Sequence, residues 1–154
     1  MRFLSFIACS LFSALILSPS IHAQTNVSDD KMLNEFSKIH QELMPKVAVA
    51  DMFYGCMIDK KQGSYTIEFL INEMDKTELA EKLQACLGED TIASNAALNY
   101  GIKACFIDQM SGLTEEQQKD KLVAVDEALA NLPIDERKRS FTQCVNNQTL
   151  SYMK

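Results

Sequence analysis

Cys56, Cys86, Cys105 and Cys144 stand 30, 19 and 39 positions apart in a chain of 154 residues. Structural zinc sites ask for close ligand pairs such as Cys-x2-Cys, and none of these separations supplies one. A redox dithiol wants the same short spacing around an exposed thiolate, and that too is missing. An even set of widely spaced cysteines instead reads as two disulfides, provided that the chain reaches an oxidising compartment.

The first residues supply that condition. Met1 and Arg2 precede an apolar run from Phe3 to Leu17, then Ser18-Pro19-Ser20 and Ile21-His22-Ala23. One basic residue, about 15 apolar residues and a small residue at the cut are the parts of a secretory signal. The expectation is cleavage after Ala23, so 1-23 is a signal peptide and Cys9 leaves with it. The run is shorter than the roughly 20 apolar residues of a membrane span, and no second one follows. The mature chain is expected to be periplasmic or secreted, without membrane insertion. It forms one domain, 24-154, with 24-28 as a loose leader.

Hydrophobic spacing predicts an all-α fold, a compact bundle of about six or seven short helices. Met32, Leu33, Phe36, Ile39, His40, Leu43 and Met44 recur at helical steps. Pro45 lacks an N–H and suits a first turn, so it predicts a new or kinked helix from Pro45 to about Asp59. Further helices are expected from Tyr65 to Met74, after an Asp75 cap, and from Asp90 or Thr91 to Met110. A capping box, Thr114-Glu115-Glu116-Gln117, predicts another as far as Asn131, burying Leu122, Val125 and Leu129. Asp135 is the expected cap of the last, which carries Phe141, Cys144, Val145 and Tyr152. The helix ending at Met110 is apolar nearly all round, which marks a central one.

A short motif recurs. Cys56-Met57-Ile58-Asp59 and Cys105-Phe106-Ile107-Asp108 each precede a glycine turn, two helical stretches and a final cysteine, at Leu83-x-x-Cys86 and Phe141-x-x-Cys144. The repetition favours Cys56–Cys86 and Cys105–Cys144 over the two other pairings, which spacing leaves open.

Charge and composition exclude more than they identify. The chain carries −6, and −7 once Arg2 is removed, with only Arg137-Lys138-Arg139 as a dense basic run. Nucleic-acid binding demands clustered Lys and Arg, so it is not expected. His40 is the sole histidine beyond the signal, and it lies beside Ile39 and Leu43, as a structural histidine does. Most carboxylates fall at helix starts, where the dipole favours them. Asp59 and Asp108 fall at C-terminal ends, where it does not, so each is expected to have a partner. Met44, Met52 and Met57 near His40 and Cys56 raise copper(I), but without a tight repeat they read as core filling. Two Asn-x-Ser/Thr triplets, at Asn26 and Asn147, match the glycosylation pattern. No cofactor, metal or catalytic constellation is expected.

Removing chemistry leaves recognition. The expected function is an exported, non-enzymatic protein-binding module (inhibitor, immunity protein or chaperone-like), with another protein as partner and Tyr54, Tyr65, Tyr100, Asp59 and Asp108 as candidate contacts. The alternative is a carrier of a small apolar ligand in a helical pocket.

Overall fold

The computed structural model describes residues 27–153, so the expected signal peptide, 1–23, lies outside the described residues. Six helices follow in order: α1 Val27–Asp59, α2 Ile67–Asn72, α3 Lys76–Leu87, α4 Asn95–Gln109, α5 Glu115–Asn131 and α6 Ile134–Tyr152. No strand occurs among the described residues, and the disulfides pair Cys56 with Cys86 and Cys105 with Cys144.

Local chemistry starts most of these helices. Asp75 accepts from the N–H groups of Thr77 and Glu78 at the head of α3, and Ser94 accepts from Ala97 at the head of α4. Thr114 and Gln117 exchange hydrogen bonds in the capping box that the sequence predicts for α5. Each such cap satisfies N–H groups that a first turn leaves without partners. Gly88, at φ 68°, ends α3 in a backbone state that other residues adopt only with strain.

Four expectations need correction. Pro45 neither starts nor breaks a helix; it lies inside α1, which runs for 33 residues. Proline costs the ladder one bond, to the carbonyl of Gln41, but Val47, Ala50, Phe53, Cys56 and Met57 just beyond it are buried and hold that half in place. Helix α1 also begins at Val27, within the stretch expected to be a loose leader. Ser94 rather than Asp90 or Thr91 caps α4, because Thr91 to Ser94 close a turn first. Asp135 is not the cap of α6: Pro133 holds that position, with no side-chain bond, and Asp135 sits in the first turn.

The core forms where the second half of α1 crosses α4. Helix α4 also packs on α5 and α6, the central position that its apolar circumference predicts. A Cβ on Gly55 would lie 2.1 Å from the carbonyl oxygen of Tyr100, so α1 and α4 touch backbone to backbone. Each disulfide ties one of these two helices to a neighbour, α1 to α3 and α4 to α6. Helix α5 is peripheral: of its expected core residues only Leu129 is buried, while Leu122 and Val125 are half-buried.

Candidate functional site

Two features stand apart from ordinary packing. The first is polar and internal. Asp51 lies on the apolar face of α1 and is fully buried. Gln148, on α6 and also buried, donates from Nε2 to Asp51 Oδ1 at 3.1 Å and to Asp108 Oδ2 at 3.0 Å. One side-chain amide thus bridges two carboxyl groups on two other helices. Tyr152 donates its hydroxyl to the other oxygen of Asp108 at 3.2 Å. Asp51 Oδ2 and Gln148 Oε1 have no protein partner.

Burial governs the protonation of this network. It pushes the Asp51 carboxyl well above the ordinary carboxylate range; the bond from Gln148 opposes the rise, and the Asp108 charge adds to it. Asp108, half-buried, is raised for the same first reason against the bonds from Gln148 and Tyr152, with a further push from Glu68. The phenols of Tyr152 and Tyr54 are raised by burial and then by the Asp108 charge. Asp108, Gln148 and Tyr152 line a polar cleft of about 470 Å³, together with Glu68, Asn147 and Ser151. Asp51 is sealed behind it, so it positions Gln148 and meets no solute.

The second feature is apolar and external. From Asp30 to Ile39 every residue of α1 is exposed, so this part of the helix stands off the body as an arm. Met32 is 64 % exposed, Leu33 61 %, Phe36 48 % and Ile39 52 %. At 100° per residue these four occupy one arc of the helix. His40, at the base of the arm, donates from Nε2 to Asn146 Oδ1 at 3.0 Å and so ties it to α6. Beside that bond an apolar groove of about 370 Å³ opens between α1 and α6, lined by Met44, Pro45, Ala48, Phe141 and Val145.

The residues singled out from sequence do not converge on one place. Asp59 accepts from the Tyr100 hydroxyl at 3.4 Å, near Lys103 and Asp126. Both repeat aspartates therefore hold a tyrosine hydroxyl, Asp59 that of Tyr100 and Asp108 that of Tyr152. Tyr54 is half-buried against the core. Tyr65 stacks on Phe69 at 5.7 Å with the Lys82 ammonium over its ring. Asp59, Asp108 and His40 lie in three separate clefts. Among the described residues no three His, Cys, Asp or Glu side chains cluster as a metal site, and Met57 is core. The triplet at Asn147 lies within α6, where Thr149 is buried and its hydroxyl bonds the Val145 carbonyl. That is a poor setting for an acceptor that needs an accessible loop.

Asp51, Gln148 and Tyr152 were not among the candidates. Asp51 had a readable signal, an acid amid Val47, Ala50 and Phe53 on an apolar stripe. Gln148 had none, because its role depends on which helices α6 meets.

No protein-family model matches this chain, and no curated protein or solved structure matches it either. What the chain does must follow from its own geometry. Two disulfides fit an oxidising compartment, and no helix among the described residues is long and apolar enough to cross a membrane.

Proposed function

We propose that this chain is an exported, non-enzymatic protein-binding module, inhibitory, immunity-type or chaperone-like, whose recognition surface is the arm of α1. The observation that carries the reading is the exposed stripe Met32, Leu33, Phe36 and Ile39 on a helix standing clear of its own core. Scattered apolar side chains on a surface are ordinary, but four large ones contiguous on one helical face form a patch of the kind that marks interaction sites. An amphipathic helix offers such anchors at i, i+3, i+4 and i+7 to a partner's groove or to a second helix. The disulfide-braced body would keep the arm's base rigid, which lowers the entropic cost of association.

A photo-crosslinking residue at Phe36 in the mature, oxidised chain tests this reading in its native compartment. The expected outcome is one defined protein adduct, lost when Leu33→Asp or Ile39→Asp is added to the chain that carries the crosslinker. Recovery of lipids or small molecules alone would reject it.

The carrier reading draws on an apolar cleft of about 230 Å³ between α4, α5 and α6, lined by Ile102, Phe106, Val125 and Leu129, which is more enclosed than the open groove of about 370 Å³ between α1 and α6. The cleft's volume falls below the roughly 300 Å³ at which small-molecule pockets begin. Displacement of a fluorescent fatty acid by Leu129→Trp would support the carrier.

A further inference from the structure

We infer that the occupant of the arm's apolar face is a second copy of this chain, its arm laid antiparallel against the first. This rests on the recognition reading above and names its partner.

The charge pattern beside the stripe carries the inference. With 3.6 residues per turn, Lys31, Glu35, Lys38 and Glu42 fall within about 60° of one another, all on the flank next to Ile39. The opposite flank holds Asn34, Ser37 and Gln41, which are uncharged, with Asp30 as its one charge at the N-terminal end, and Gln41 Nε2 donates to Ser37 Oγ. Along the charged flank the signs therefore alternate. Within one copy only Lys31 and Glu35 lie close, at 4.0 Å and both well exposed.

Two arms related by a two-fold axis across their helices meet like flank to like flank. Reading the second arm backwards sets Lys31 against Glu42 and Glu35 against Lys38, and the symmetry repeats both pairs. All four cross-pairs are then of opposite sign. A parallel pairing would set the four charges of each arm against a flank whose one charge is Asp30, and would leave most of them without a partner. The same register places Leu33 opposite His40, at the mouth of the groove between Met44 and Phe141. The axis passes between Phe36 and Ser37, so the two Phe36 rings lie beside it.

Area agrees with the assignment. The four exposed side chains open on the order of 400 Å² of apolar surface per copy, within the range of the largest patches on soluble monomers. Adding the stems of the flanking charges brings the pair toward about 1,200 Å² in total, the low end of specific interfaces. A micromolar, concentration-dependent dimer is the expected result.

Sedimentation velocity of the mature, oxidised chain from about 1 to 500 µM tests this. Wild type should pass from monomer to dimer, and Phe36→Asp should stay monomeric with an unchanged helical circular dichroism spectrum. Lys31→Glu with Lys38→Glu makes the flank wholly acidic and should weaken the dimer about tenfold or more. Exchanging all four charges (K31E, E35K, K38E, E42K) restores every cross-pair, so it should dimerise within about threefold of wild type. Failure of that fourfold variant, with its helicity intact, would overturn the antiparallel arrangement. A wild-type chain monomeric throughout would overturn the second copy as occupant. If Ile39→Asp then still abolished the adduct crosslinked from position 36, the recognition reading would stand without it.

Discussion

Asp51 shows how one buried side chain sets a pH dependence. Its carboxyl, like that of Asp108, is held above the ordinary value of about 4, so folding favours the neutral form. That contribution is complete below the unfolded value and is lost as pH rises through the folded one. The native state should therefore gain stability from neutral toward mildly acidic pH, down to about 4. Asp51→Asn keeps an acceptor for Gln148 and removes the charge. It should stabilise the protein by about 1 to 2 kcal/mol at pH 7 and leave little difference at pH 4. Urea unfolding at the two pH values reads this directly; equal shifts at both would contradict it. Gly55 carries the opposite lesson. Alanine there gains up to about 1 kcal/mol of helix propensity, yet its Cβ meets the Tyr100 carbonyl at 2.1 Å. Backbone cannot rotate away as a side chain can, so the clash wins and Gly55→Ala should cost about 3 kcal/mol.

At the scale of the element, α1 is two helices in energetic terms. Residues beyond Pro45 bury Val47, Ala50, Phe53, Cys56 and Met57, while the arm buries almost nothing. A short helical stretch without tertiary packing is marginal in water. At concentrations where the chain is monomeric, amide exchange from Asp30 to Ile39 should be at least 100-fold faster than from Val47 to Met57. Similar protection along the whole of α1 in a monomer would show that the arm is packed rather than free. Helix α5 makes a related point. Its capping box marks its start plainly, but cap chemistry says nothing of burial, and the helix ends up at the periphery, with Leu129 alone of its expected core residues buried.

Across the whole molecule, the two disulfides brace a bundle whose core is shared by α1 and α4. The loops that they close span 30 and 39 residues. By the chain-entropy estimate each contributes about 4 kcal/mol. Replacing Cys105 and Cys144 together by alanine should lower stability by about that amount, measured by urea unfolding under oxidising conditions, and leave the Cys56–Cys86 bridge intact. A loss under 1 kcal/mol would mean that contacts between α4 and α6 hold the unfolded chain together without the bridge.

Helix content, the caps at Asp75 and Thr114, the turn at Gly88 and even the pairing of cysteines were legible in the chain itself, because each depends on neighbours within a few residues or on a repeated local motif. The continuity of α1 through Pro45 was not, since it depends on what the following half buries. Nor was the bridge from Asp51 through Gln148 to Asp108, whose three members lie on three helices. The apolar stripe of the arm shows the limit most plainly. Met32, Leu33, Phe36 and Ile39 read from sequence as an ordinary core-facing face, and periodicity cannot say otherwise. Only the tertiary structure decides whether such a face meets its own core or water, because burial is a relation between elements distant in sequence.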